Sequence, residues 1–276
     1  MTSQTDQSNN QRFSDTEDGF LRTFWDPRGK HHWGLFEPRG CGFAEACDAL
    51  ELHMANLAQL DATSTLLDVG CGNGVVAAEL CAARGCDVVG VDLSPVRIEN
   101  ARRACAELPE VVRTRIAFEH ASATALPFPG ESFSHAWSQA TLFRVPERGK
   151  ALAEVHRVLR PSGRFVMDDL FMPTLDVSPE TRQVYDRWNC ESTFSFDGYR
   201  RALVDVGFDV LAAEDLSPHL VETFRCLHER TERKAAEPGP EREKYATFAR
   251  AYASVVRAIE NGELGWGLFL CQKAPG

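Results

Sequence analysis

The sequence predicts an α/β fold: an open, mostly parallel sheet of seven strands with helices on both faces and a helical lid. Three observations predict it. Apolar runs of strand length alternate with helical segments between residues 65 and 170, an order that implies parallel strands joined by crossover helices. A glycine-rich turn joins the first strand to the first crossover helix. After Phe171 the rhythm changes to mostly helical segments, with strand-like runs only at 208–217 and at the end.

The chain has 276 residues, 43% of them hydrophobic and 25% charged, the balance of an ordinary globular protein with a full core. Its first fifteen residues are polar and read as a disordered tail without the apolar centre of a signal peptide. An aromatic-rich stretch follows, and then Phe43, Cys47, Leu50, Met54, Leu57 and Leu60 recur at helical spacing. TLLDVG (65–70) reads as a buried strand, 75–85 as a helix ended by its glycine, and 86–92 as the second strand. Ser94 is placed as the N-cap of a helix with Pro95 at its first position. Strands are expected at 115–121 and 132–139. The helix RGKALAEVHRVLR is expected to stop at PSG, before a fifth strand at 164–170. Residues 172–196 look irregular to helical, 196–207 helical, 208–217 a strand and 218–262 mostly helical, with a last strand in GWGLFLCQKA.

The formal net charge of -10 disfavours nucleic acid or an anionic membrane as partner, and no apolar run approaches the ~20 residues of a membrane span. The nine cysteines are scattered without C-x-x-C pairs, so neither a zinc site nor a disulfide framework is expected, and free thiols in a cytoplasmic protein are the default. A small molecule is the expected partner, with no metal. The sequence leaves open whether the chain forms a homo-oligomer.

Strand one ends in Asp68-Val69-Gly70-Cys71-Gly72-Asn73-Gly74, directly before a helix. Glycines there let the backbone turn sharply and approach a ligand closely, at the carboxyl edge of the sheet where open α/β folds bind ligands. Asp92 closes strand two, placed to accept hydrogen bonds from ribose hydroxyls. A dinucleotide fingerprint would put its third glycine where Val75 stands, and no Gly-Lys-Ser/Thr ending marks a phosphate loop.

LLDVGCGNG followed by VVGVDLS resembles motifs one and two of the class I S-adenosylmethionine-dependent methyltransferases. The resemblance continues through ALPFPGESF, the segment 151–169 and the final strand, across about residues 40–273. It implies a Rossmann-like sheet divided into a lid segment and cofactor-binding core over 16–171, lid insertions over 172–262 and the last core strand in 263–276. It also implies that Gly70, Gly72 and Gly74 lie against the methionine and ribose portions of the cofactor. Asp68 would then help to hold the methionine amino group, Asp92 the ribose, and Leu93 the adenine. Where the family usually has Gly-Asp-Ala, this chain has Ala121-Ser122-Ala123, so Ser122 can offer adenine only an uncharged contact. Gln139 stands where a residue usually faces the methionine part.

Methyl transfer to a small molecule, such as a secondary metabolite, depends largely on positioning, with a general base added where the acceptor must lose a proton. Trp25, Trp33, Phe36, Phe143 and Phe171 suggest an aromatic acceptor pocket, although aromatics are also ordinary core material. HHWG (31–34) resembles the lid ahead of the sheet in sterol, tocopherol and sugar methyltransferases. From 135 to 172 the chain resembles sugar O-methyltransferases that act on indolocarbazoles. Their strand-five Asp corresponds to Asp169, and their His pair is replaced by Phe143-Arg144. Asp169 and His32 are the expected bases, with His31 and Glu37 as alternatives and His156 read as structural. The methylated atom, O, N or C, stays open. Two further readings are a cyclase of the same fold and a cofactor-binding protein without activity.

Overall fold

The computed structural model describes residues 17–188, 190 and 194–276; the expected tail over 1–15 lies outside them, as do 189 and 191–193 of the segment 172–196. In chain order the elements begin with α1 (Phe43–Ala58), β1 (Thr65–Val69), α2 (Val75–Arg84), β2 (Asp87–Asp92) and α3 (Pro95–Ala106). The short α4 (Glu110–Arg113), β3 (Ile116–His120), β4 (Phe133–Gln139) and a 3-10 turn (Leu142–Arg144) follow. Next come α5 (Arg148–Val158), β5 (Leu159–Phe171), α6 (Pro179–Trp188) and α7 (Phe196–Asp205). The chain finishes with β6 (Phe208–Asp215), α8 (Ser217–Ala236), α9 (Arg242–Glu260) and β7 (Gly265–Lys273).

These strands form one seven-stranded sheet in the order β3-β2-β1-β4-β5-β7-β6. β1 pairs in parallel with β2 and β4, and only β7 runs antiparallel, against both β5 and β6. The reason is the α8–α9 hairpin: it returns the chain to the edge where β5 and β6 end, so β7 starts there and runs back. Phe171 thus pairs with Gly265 and Asp215 with Gly267.

Alternate residues of the central strands feed two cores. Leu66, Trp137, Val166 and Leu268 pack with α1, α2, α3 and the N-terminal stretch, while Leu67, Val69, Phe165, Met167 and Phe269 pack with α5 and α7. Local signals decide the helix ends. Ser94 Oγ accepts from the Arg97 amide at 3.1 Å, capping α3 ahead of Pro95, and Gly85 closes α2 in the left-handed region. One boundary differs from expectation. α5 stops at Val158, and β5 begins at Leu159 rather than 164, because Leu159 pairs with Phe133 and Pro161 lacks the amide that a longer helix would need. Among the described residues no helix is long and apolar enough to cross a membrane.

The sheet order reverses at β1: the chain builds outward through β2 and β3, then returns to β4 on the other side. At such a switch point the connections after β1 and β4 leave toward opposite faces of the sheet, and a crevice opens beyond the strands' carboxyl ends.

Candidate active site

The turn after β1 is shaped by what its glycines lack. Gly70 has φ 82°, and a Cβ there would sit 2.3 Å from the Thr141 side chain, so the turns after β1 and β4 touch only because Gly70 has none. Gly74 has φ 74°, and its Cβ would fall 2.5 Å from the Phe118 ring and 2.8 Å from Ala101, closing the space where α2, α3 and β3 meet. The Asp92 carboxylate braces this turn. One oxygen accepts from the Gly72 amide at 2.9 Å and the other from the Ser94 amide at 2.8 Å. Each oxygen keeps a further lone pair for a ligand hydroxyl.

Beyond these turns lies a cavity of about 590 Å³. Its inner wall includes Gly70, Asp92, Leu93, Ser122 and Ala123 from the ends of β1, β2 and β3, and Thr141, Phe143 and Arg144 from the turn after β4. Its outer wall includes Trp25, His31 and Trp33 from the N-terminal stretch, Trp188 from α6, Phe224 from α8 and Tyr252 from α9. Asp68 and Gln139 lie buried on the α1 face of the sheet and are not part of the wall. Asp68 Oδ2 and Gln139 Nε2 have no hydrogen-bond partner there, and burial pushes the Asp68 carboxyl up to about 7. Gly72 and Gly74 act from behind, through the brace to Asp92 and the helix packing.

Three expected residues are elsewhere. His32 is buried between the Glu51 carboxylate, 2.8 Å from its Nε2, and the Trp33 carbonyl, 2.9 Å from its Nδ1; both nitrogens are spent away from the cavity. Asp169 is fully buried on the α5 face, accepts from the Phe143 amide at 2.9 Å and from the Tyr199 hydroxyl, and has Arg148 at 3.9 Å. It anchors the turn that carries Phe143 instead of facing an acceptor. The parity of β5 explains this: successive side chains alternate faces, and Asp169 points opposite to Asp168. Phe171 shares Asp169's face, where its ring meets Phe196 at 5.4 Å and fills the space left by Gly265. Of the alternative bases, Glu37 is 71% exposed beside His219 and does not line the cavity, and Phe36 is buried outside it. His31 does line it. His156 packs edge-on against Phe208, a structural placement.

The stretch 17–36 is a strap stitched on both sides. Against the core, Asn73 of the glycine turn donates to Asp18 at 2.8 Å and to the Gly29 carbonyl at 3.2 Å, and accepts from Asn100 at 3.1 Å. Lys30, with its side chain fully buried, places its ammonium among Asp48 (2.9 Å), Glu51 (2.7 Å) and Glu79. These three carboxylates converge as metal ligands would, but the Lys30 ammonium takes the central position. Toward α8, the Gly34 amide donates to Thr223 (3.1 Å), the Phe36 amide to His219 (3.2 Å), and Arg230 to the Trp25 carbonyl (2.7 Å). The Trp25 indole donates to the His32 carbonyl at 3.0 Å, which turns its ring toward the cavity.

Sequence reasoning missed Arg97, Arg144, Trp188, Phe224 and Tyr252 as wall residues, and Asp18 and Asn73 as the strap's latch. Arg97 had a readable signal: it lies in the first turn of the helix that follows Asp92, at the same switch point. The residues from α6, α8 and α9 had none, since only long-range packing brings them over the cavity.

The comparisons with known proteins agree with this geometry. A family model described as a methyltransferase domain matches residues 67–167. The chain is 30% identical over 205 residues to 27-O-demethylrifamycin SV methyltransferase of Amycolatopsis mediterranei, covering 73% of this chain and 74% of that one. It is 29% identical to the sarcosine/dimethylglycine N-methyltransferase of Halorhodospira halochloris, covering 94% and 93%. Among solved structures, the cyclase SpnF superposes with a TM-score of 0.81 at 22% identity, covering 98% of this chain and 97% of that one. The chain belongs to the class I S-adenosylmethionine-dependent small-molecule methyltransferases. It is an enzyme that transfers a methyl group from S-adenosylmethionine to a small organic molecule. The residues fit that cofactor. Asp92 retains lone pairs at the wall beside Leu93 and Ser122, and Asp68 and Gln139 offer an unpaired acceptor and an unpaired donor under the glycine turn.

Proposed function

We propose that the acceptor is a small, largely aromatic or polyene metabolite that enters between the strap and the α6, α8 and α9 wall. The observation that carries this reading is a single cavity with two unlike halves: a polar one at the ends of β1, β2 and β3, and an aromatic one built from Trp25, Trp33, Phe143, Trp188, Phe224 and Tyr252. S-adenosylmethionine supplies a methyl group on a sulfonium, already activated for displacement. Asp92 would hold the ribose hydroxyls, Leu93 and Ala123 would pack on the adenine, and Ser122 would give it one hydrogen bond. Asp68 would take the methionine ammonium. Gln139 would donate its free amide hydrogens to the methionine carboxylate, and the turn of Gly70, Gly72 and Gly74 would keep backbone close to both. The aromatic wall excludes water and orients the acceptor, and orientation can supply up to about 7–11 kcal/mol of the barrier. Aromatic faces also attract a sulfonium by cation–π interaction.

The test is incubation with methyl-labelled S-adenosylmethionine and a panel of aromatic, polyene and amine acceptors, followed by product mass spectrometry. The reading predicts label in an aromatic or polyene product. Label only in small aliphatic amines would contradict it, and a rearranged product without added mass would identify a cyclase.

A further inference from the structure

We infer that the methyl acceptor is a ring system bearing carbonyl or ether oxygens, which take hydrogen bonds from the Trp33 indole and the Tyr252 hydroxyl; this rests on the methyltransferase reading above. Elsewhere in the molecule the polar ring atoms of the five tryptophans and four tyrosines are paired. The Trp25 indole donates to the His32 carbonyl (3.0 Å), Trp137 to Gln139 (3.2 Å) and Trp266 to Asp168 (3.0 Å). The Tyr185 hydroxyl donates to the Glu263 carbonyl and that of Tyr199 to Asp169, and Tyr245 shares a hydrogen bond with Thr23 at 2.9 Å. Trp33, Trp188 and Tyr252 are left without a hydrogen-bond partner among the described residues, and all three line the cavity.

Burial gives these exceptions their meaning. Trp33 is 3% exposed and Tyr252 4%, whereas Trp188 is half-buried. A buried donor without a partner has lost its hydration and gained nothing, so such a group finds its partner in the protein, in water or in a ligand. The two donors belong to one belt of rings. Trp33 meets Phe143 at 5.9 Å between ring centres, Phe143 meets Trp188 at 6.2 Å, and Phe224 lies 5.6 Å from both Trp188 and Tyr252. A flat molecule within the belt packs against these rings and meets one donor from the strap and one from α9. An indole N–H can only donate. Burial pushes the Tyr252 phenol up, against the Arg187 and Arg144 charges, so it keeps its proton and can donate too. Arg97, Arg144, Arg187 and Arg250 on the same wall are likewise donors. A plain hydrocarbon offers these groups nothing, and a protonated amine has no lone pair to accept with. A carbonyl or ether oxygen has two. The cofactor belongs to the polar half, against Asp92 and Leu93, which leaves the belt to the acceptor.

The test uses 1,4-diacetylbenzene and 1,4-diisopropenylbenzene, probes of one shape in which methylene groups replace both oxygens, added to the protein saturated with S-adenosylhomocysteine. Ligand-observed NMR titration gives both dissociation constants. Tyr252→Phe removes the hydroxyl and keeps the ring, and Trp33→Phe removes the indole N–H. Each is expected to weaken binding of the diketone about fivefold and to leave the hydrocarbon within about twofold of wild type. S-adenosylhomocysteine affinity by calorimetry should stay within about threefold in both. Circular dichroism checks that each variant is folded, and Tyr252→Phe alone decides if Trp33→Phe is not. Wild type that binds neither probe, unchanged diketone affinity in folded Tyr252→Phe, or an equal loss for both probes would each overturn the inference. So would a tenfold loss of S-adenosylhomocysteine affinity in Tyr252→Phe, which would assign the donor to the cofactor. Failure of wild type to bind S-adenosylhomocysteine would overturn the methyltransferase reading and this one with it.

Discussion

Replacing Lys30 with methionine keeps the apolar stem but removes the ammonium that ties the strap to α1 and α2. Three carboxylates lose a counter-ion, yet they do not lose equally. The Asp48 and Glu79 side chains are 53% and 38% exposed and can rehydrate, so their share is small. Glu51 is 7% exposed and, among the described residues, is left with His32 as its ion-pair partner. Breaking a buried pair from one side costs about 3–5 kcal/mol, and the surviving His32 contact places Lys30→Met near the lower end, about 3 kcal/mol. Urea unfolding followed by tryptophan fluorescence measures this directly. The pH dependence adds a second check. Burial raises the Glu51 carboxyl, but the His32 contacts and the Lys30 ammonium outweigh it and hold the group near 2, below its ordinary 4.5. A depressed carboxyl contributes stability that is complete above about 4.5 and is lost as the pH falls toward 2, because the unfolded chain takes up the proton first. Wild type should lose stability across that window, and Lys30→Met should lose less. A cost below 1 kcal/mol, with an unchanged acid slope, would refute the claim that this ammonium is Glu51's buried counter-ion.

Three other substitutions separate structural from functional roles. Asp169→Asn should cost about 2–3 kcal/mol, because it weakens charged hydrogen bonds to Phe143 and Tyr199. S-adenosylhomocysteine affinity by calorimetry should stay within about threefold, and a hundredfold loss of turnover in stable, folded protein would restore Asp169 as a base. Gly70→Ala should cost about 1–3 kcal/mol for a positive φ, plus the displacement of Thr141. Thermal unfolding should show partial recovery in Gly70→Ala/Thr141→Ala, and none if the clash is immaterial. Asp92→Ala frees the Gly72 and Ser94 amides and removes the ribose acceptor, so calorimetry should show S-adenosylhomocysteine binding weakened by at least about tenfold; unchanged affinity would move the ribose elsewhere.

Much of this fold was legible because its signals are local. The β1–α2 glycine turn, the Ser94–Pro95 start of α3 and the buried apolar runs of β1, β2 and β4 each act within a few residues. The β5 boundary was missed because strand pairing with Phe133 overrides the break that Pro161 suggests. In the site, residues at strand ends could be read from their neighbours: Gly70, Asp92, Leu93, Ser122 and Ala123 all reach the cavity wall. The base was misread for two reasons. Neighbouring positions on β5 face opposite cores, so a motif match one residue wide cannot say which side Asp169 serves. His31 and His32 are adjacent in an irregular strap, where no periodicity tells which ring turns inward; the Glu51 carboxylate on α1 captures His32, and His31 is left at the cavity.

The most direct test of the account is a crystal structure of the protein with S-adenosylhomocysteine. The account predicts the adenine against Leu93 and Ser122 and the ribose hydroxyls within hydrogen-bond distance of Asp92. It places the amino-acid end over Asp68 and Gln139, and the sulfur toward the aromatic half of the cavity. A nucleoside bound anywhere else, or a ribose out of reach of Asp92, would contradict it.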